Sequence, residues 1–190
     1  MDLVIDVREG ISASDLESYA EVSIAFESAR SYEVEPRGKG EFFLQAVDLM
    51  PPIAKDFDSY EHPVEWQKWD MGKAAMFRAC LEGRPVGGAV VVRDNPKVNL
   101  LEGRKDLAVL WDLRVAPQFR RQKIGGRLLR EATRWARRKR CRELKVESQN
   151  NNARACDFYR KHGFQLSEAN RGVYRIFPDE IQMIWKRRLT

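Results

Sequence analysis

Apolar positions along this chain recur with two different periods, and the periods sort it into helices and strands. Leu16, Tyr19, Ala20, Ser23 and Phe26 fall on one helical face, and Ser14 with Glu17 three residues on has capping-box spacing, so a first helix is predicted over 14–30. From 36 to 70 no clean period runs: Pro51-Pro52, Asp56-Phe57-Asp58 and the pair Trp66 and Trp69 read as irregular chain. Residues 74–81 and 86–93 are strand-like runs around Glu82-Gly83-Arg84-Pro85, the pattern of a β-hairpin with a four-residue turn. Residues 107–115 make a third strand, apolar enough to be central, which ends at Ala116-Pro117 because proline cannot donate to a ladder. Over 125–140, Leu128, Leu129, Ala132, Trp135 and Ala136 share one face while Arg127, Arg130, Arg134, Arg137 and Arg138 lie elsewhere, which predicts an amphipathic helix with a basic outer surface. A short strand over 144–148, a polar turn over 150–152, a helix over 153–162 stopped by Gly163, and strands over 164–166 and 181–188 complete the pattern. This order predicts an α/β (α+β) fold, a mixed sheet covered by helices.

Composition narrows the class without naming a function. At 190 residues, 43% hydrophobic and 33% charged, the chain suits one soluble globular domain spanning 1–190. The opening Met1-Asp2-Leu3-Val4-Ile5-Asp6 lacks a basic start and an apolar run, and no window nears the roughly 18 apolar residues of a membrane span, so no membrane partner and a cytoplasmic location are expected. Cys80, Cys141 and Cys156 lack C-x-x-C spacing, and His62 and His162 are the only histidines, so neither a disulfide framework nor a metal site is expected. The net charge of +6 is unevenly spread: residues 120–142 hold eleven Lys or Arg against one acid, Glu131. That segment should meet an anion.

The densest chemical signal is the stretch Val115-Ala-Pro-Gln-Phe-Arg120-Arg121-Gln122-Lys123-Ile124-Gly125-Gly126, between the third strand and the basic helix. A helix N-terminus presents unpaired N–H groups and a partial positive charge, glycines let the backbone approach closely, and Arg120, Arg121 and Lys123 add countercharge, so a pyrophosphate fits. The blander reading is a helix start beside solvated arginines, and the turn is neither a Walker A loop nor a G-x-G-x-x-G fingerprint. A second signal follows at Asn152-Ala-Arg-Ala155-Cys-Asp-Phe158-Tyr159-Arg-Lys-His-Gly163-Phe164.

Together these two stretches closely resemble the GNAT N-acetyltransferase superfamily, whose cofactor loop is usually written Gln/Arg-x-x-Gly-x-Gly/Ala and whose second motif reads Asn-x-x-Ala-x-x-Phe/Leu-Tyr-x-x-x-Gly-Phe. Arg120, Ile124 and Gly125 match the loop, Lys123 stands where the family usually has glycine, and the second motif is complete; the resemblance covers 107–164. It implies a mostly antiparallel sheet with splayed central strands, and acetyl-CoA as cofactor. On that resemblance, the backbone of Leu113, Arg114 and Val115 would pair with the pantetheine arm, N–H groups from Arg121 through Gln122, Lys123, Ile124 and Gly125 to Gly126 would hold the pyrophosphate, Asn152 and Ala155 would meet the arm, and Tyr159 would face the sulfur. The segment Glu147-Ser-Gln-Asn-Asn-Asn, with Ala155-Cys156, Phe158-Tyr159, Tyr174 and Trp185, resembles streptothricin acetyltransferases in particular.

Acetyl transfer to an amine needs a base, because an aliphatic ammonium has a pKa of about 10. Glu147 and Asp112 are the candidates; Glu147 is favoured, since its spacing to Asn152 and Tyr159 resembles the Glu and Tyr of ribosomal-protein N-terminal acetyltransferases. Tyr159 is the candidate acid for the leaving thiolate, with a core tyrosine as the bland alternative, and the Val115 N–H would polarise the thioester carbonyl. Trp69, Asp70, Trp111 and Tyr174 are candidate acceptor contacts; Asp56, Asp58 and Trp66 would add to a surface suited to a cation. Cys156 with His162 lacks an orienting acid and reads as a buried thiol. The expected partner is a small-molecule amine, the chain being a monomer or homodimer and not a nucleic-acid binder. The alternatives are a protein N-terminal or lysine acetyltransferase, a non-catalytic CoA sensor, and a nucleic-acid binder using the basic 120–142 run, which brings no base-stacking aromatics.

Overall fold

The computed structural model describes residues 2–38 and 40–189. In chain order its elements are β1 (Leu3–Glu9), α1 (Ala13–Ala20), β2 (Phe26–Pro36), β3 (Phe42–Lys55), β4 (Ala74–Leu81), β5 (Arg84–Arg93), β6 (Leu107–Val115), α2 (Ile124–Arg138), β7 (Glu143–Gln149), α3 (Ala153–Lys161), β8 (Gln165–Arg171) and β9 (Ile181–Arg188). They fall into two compact units, one from Met1–Ala25, Asp56–Leu144 and Arg188–Thr190, the other from Phe26–Lys55 and Lys145–Arg187. None of the described helices is long and apolar enough to cross a membrane.

In the first unit β1, β4, β5 and β6 lie side by side in that order, each pair antiparallel. β6 keeps its predicted bounds, while β1 is a strand that the sequence pattern did not announce. The β4–β5 connection is tighter than expected: Leu81 pairs with Arg84, which leaves Glu82 and Gly83 as a two-residue turn with φ of 50° and 78°. Positive φ at both positions is what a type I′ hairpin requires, and its twist matches that of the strands. α2 lays Leu128, Leu129, Ala132, Trp135 and Ala136 inward, as its pattern predicts. Gly87 makes room for it, because a Cβ there would stand 3.2 Å from both Ile124 Cγ2 and Leu128 Cδ1. On β6 the pairing steps from Val90–Asp112 to Val91–Leu110, so Trp111 is the extra residue of a bulge. Bulges of this kind re-aim a side chain.

The predicted first helix is too long. α1 stops at Ala20, and its capping box joins Ser12 to Asp15 instead of Ser14 to Glu17. Beyond Ala20 come the β-branched Val22 and Ile24, and Ser23 Oγ accepts the Ala25 N–H at 3.2 Å. Both features give the backbone an alternative to another helical turn.

The second unit carries β7, β9 and β8 in that order, β8 and β9 being antiparallel, and a separate antiparallel ribbon of β2 and β3. The 36–70 stretch therefore contains a strand that its sequence conceals. Pairing in the ribbon jumps from Ser28–Ile53 to Arg30–Asp48, which leaves residues 49–52 out of the ladder. Pro51 and Pro52 sit in that break, where no ladder N–H is needed.

Candidate active site

α2 opens unlike α1. Its N-cap, Lys123, has φ 65° and ψ 4°, makes no side-chain capping bond, and is followed by a first turn without an acid. Arg121 is likewise left-handed at φ 68°. Glycine accepts this conformation without strain, whereas an L residue pays about 1–2 kcal/mol for it, so the departure at Lys123 keeps a glycine-like backbone. Arg120 is not an outward cation: its Nε donates to Val115 O at 2.8 Å and its Nη2 to Ala25 O at 2.5 Å, which ties the turn to the end of β6. Arg121, Gln122 and Lys123 are exposed, while Ile124 is buried and Gly125 and Gly126 are half-buried.

Along β6, Leu113 and Val115 are half-buried and Arg114 has a side chain with 0% exposure. The Arg114 guanidinium grips Asp112 through Nε and Nη2, both at 2.9 Å, and Asp58 through Nη1 at 2.8 Å and Nη2 at 3.0 Å. Tyr19 donates its hydroxyl to Asp112 Oδ1 at 2.5 Å. Burial, then the Asp112 charge, pushes the Tyr19 pKa well up. Burial alone would lower that of Arg114, but the Asp112 carboxylate outweighs it and holds the guanidinium charged. Asp112, proposed as a base, thus has its oxygens committed to a cation and a phenol. Asp58, placed by the sequence among contacts for a cationic acceptor, answers Arg114 instead. Trp111 lies against Trp69 with the rings tilted by 59° and centroids 5.5 Å apart, and meets Trp66 edge-on at 6.4 Å. Asp70 is exposed and accepts the Gly72 N–H at 3.0 Å.

In the second unit Glu147 is half-buried on β7. Its Oε1 accepts the Tyr174 hydroxyl at 2.6 Å and its Oε2 accepts Gln182 Nε2 at 2.7 Å. Gln149 donates to the Tyr174 oxygen at 3.2 Å. Burial first, and then the Glu147 charge, pushes the Tyr174 pKa up. The sequence thus placed Glu147 and Tyr174 separately, and the fold joins them. Asn152 is the N-cap of α3, its side-chain oxygen accepting from Ala155 N at 3.2 Å. Tyr159 is 6% exposed, with its ring between Phe158 at 5.5 Å and Phe164 at 5.6 Å. Cys156 is buried and burial raises its pKa to about 11, so it is a poor nucleophile, while His162 turns its Nδ1 to Phe158 O at 2.8 Å.

Four residues of these networks escaped the sequence reading as site candidates: Tyr19, Gln149, Gln182 and the Arg114 side chain. Only Tyr19 had a signal. Gly88 lies within a strand, which marks a close approach, and a Cβ there would stand 2.3 Å from Tyr19 Cε2.

A sequence model of the acetyltransferase (GNAT) family matches residues 43–164, and the chain belongs to that family. It is an acetyl-CoA-dependent acetyltransferase. Streptothricin acetyltransferase A of Bacillus subtilis (strain 168) is 29% identical over 136 residues, covering 70% of this chain and 72% of that protein. Among solved structures, nourseothricin acetyltransferase superposes with a TM-score of 0.76 at 24% identity, covering 98% of this chain and 99% of that one. A protein of Bacillus anthracis str. Ames, provisionally named a streptothricin acetyltransferase and solved with acetyl coenzyme A, superposes with a TM-score of 0.79 at 23% identity over 100% of both chains. These two likenesses establish the shared mixed α/β fold.

Proposed function

We propose that the chain acetylates a primary amine of a small molecule, a streptothricin-like antibiotic being the first candidate. It would act as a single domain in the cytoplasm, as a monomer or homodimer. The acceptor class is supported by the similarity to streptothricin acetyltransferase A. When bound, acetyl-CoA supplies an activated thioester and a thiol leaving group. The turn before α2 suits its diphosphate: the helix end is uncapped and free of acid in its first turn, and Arg121 and Lys123 face outward. In this reading N–H groups from Arg121 to Gly126 hold the phosphates, the backbone of Leu113, Arg114 and Val115 holds the arm together with Asn152 and Ala155, and the Val115 N–H polarises the carbonyl.

The observation that carries the chemistry is the setting of Glu147. Its oxygens accept from neutral donors, Tyr174 and Gln182, and among the described residues it makes no ion pair. An ammonium of pKa about 10 must lose that proton before its nitrogen can attack. Glu147 is accordingly assigned as base and Tyr159 as the acid that returns a proton to the thiolate, whose conjugate acid has a pKa of about 8.5. Asp112 is the weaker choice, since Arg114 already neutralises it. Trp69, Asp70 and Trp111, with Tyr174, are assigned to the acceptor.

A thiol-release assay with acetyl-CoA across streptothricin, aminoglycosides, polyamines, peptides and amino acids tests this reading. Release with streptothricin or a related small amine is expected. Preference for peptides would turn the assignment to a protein acetyltransferase, and silence across the panel together with no thermal shift by acetyl-CoA would remove it.

A further inference from the structure

The chain that brings Tyr174 to Glu147 continues to a second carboxylate. The Phe177 N–H donates to Tyr174 O at 3.2 Å and the Glu180 N–H to Phe177 O at 3.1 Å, so two successive turns carry the backbone from one residue to the other. Glu180 has a side chain only 11% exposed. Its Oε1 accepts from Lys55, itself 8% exposed, and from Asn151 Nδ2 at 2.8 Å. The second contact fixes the Asn151 amide, since the nitrogen must face the carboxylate and the oxygen must then point elsewhere.

What remains is a pair of orphans: Asn151 Oδ1 and Glu180 Oε2 are both buried and receive no hydrogen bond. Both can only accept, and one belongs to a charged group, for which an unmade hydrogen bond is most costly. Charge points the same way. Glu147 and Glu180 are both acids, Lys55 pairs with Glu180, and the other hydrogen-bonding partners named here, Tyr174, Gln182, Gln149 and Asn151, are neutral. Tyr174 registers both acids, for after burial and Glu147 the charge of Glu180 also raises its pKa.

We propose that Glu180 and Asn151 form a subsite for a second ammonium of the acceptor, which makes the preferred substrates diamines or larger polycations rather than monoamines. The proposal rests on Glu147 facing the reacting amine, and it assigns specificity to two residues outside the acetyl-transfer machinery. Neutral acceptors such as the Asn151 amide and an anionic oxygen together suit an ammonium, which has three donors to place.

Titration calorimetry at pH 7 on the full chain saturated with coenzyme A, using 1,5-diaminopentane and pentylamine as probes, tests it. The protein should bind the diamine at least tenfold more tightly, and Glu180→Gln should bring the two affinities within threefold of each other. Asn151→Leu leaves the Lys55–Glu180 pair in place, so it serves should Glu180→Gln fail to fold, and it should reduce the preference at least threefold. Equal binding of the two probes, no binding of the diamine, or a preference that survives both substitutions overturns the subsite. Acetyl transfer to streptothricin, assayed separately, tells failure of the enzymatic reading from failure of this one.

Discussion

Asp112 in the first unit and Glu147 in the second are both strand carboxylates that accept a hydrogen bond from a tyrosine, yet the two are built for different work. Asp112 is buried and its remaining bonds come from the Arg114 guanidinium, which also grips Asp58. Glu147 is half-buried, and its other donor is the neutral amide of Gln182. Asp112 is tied into an ion pair as part of the structure, whereas Glu147 is oriented by neutral donors and has no ion pair among the described residues. The identity of the partner, more than the depth of burial, separates the structural acid from the proposed base.

The largest effect expected from this contrast is on activity. Glu147→Gln should lower kcat/KM by about 10²–10⁴, the usual worth of a positioned base, with little change in melting temperature. Asp112→Asn should do the reverse, costing roughly 3 kcal/mol by leaving part of a buried guanidinium unmatched, while kcat at a temperature where the variant is folded stays within about an order of magnitude. Steady-state kinetics beside thermal melts read both. An inactive but undamaged Asp112→Asn enzyme would exchange the two roles.

Much of this was legible in the sequence, and the limit has a physical shape. β6, α2 and α3 were read to within two residues, because each follows a local period or a local motif. Glu147, Tyr159 and the α2 turn came from motifs equally local. The network around Asp112 did not, since Tyr19 reaches it across 93 positions and Arg114 reaches Asp58 across 56. No period in a chain encodes such a meeting, and a charged Arg114 on a strand reads as exposed until the fold buries it. Gln182 lies 35 positions from Glu147 and carries no signal of its own. The β2–β3 ribbon failed for another reason: β3 buries none of its residues fully, so no apolar face is set apart from a polar one, and its proline pair in the ladder break reads as irregular chain.

Gly88 sharpens the comparison from the side of Asp112. A methyl group there would stand 2.3 Å from Tyr19 Cε2, so Gly88→Ala must push the ring and its hydroxyl off Asp112. A cost of about 2 kcal/mol is expected from overpacking, read as a lower denaturant midpoint. Combined with Tyr19→Ala, which removes the clash, the alanine should add far less, and an equal cost in both backgrounds would show that the strain lies elsewhere.

The smallest effect concerns the tyrosine that holds Glu147. Tyr174→Phe deletes one hydrogen bond to a half-buried carboxylate, a loss of about 1 kcal/mol in stability and a fewfold drop in kcat/KM, because Gln182 still orients the other oxygen. Its signature is in pH. The folded protein holds the Tyr174 proton above its ordinary pKa of 10.0, so at alkaline pH the native state binds a proton that the unfolded chain has released. That contribution is whole below pH about 10 and is lost as pH rises through the unfolded value toward the folded one. Wild-type melting temperature should therefore fall more steeply above pH about 10 than that of Tyr174→Phe, the two curves converging upward. Parallel curves would mean that Tyr174 ionises as freely as in the unfolded chain, and that its bond to Glu147 contributes nothing to the fold.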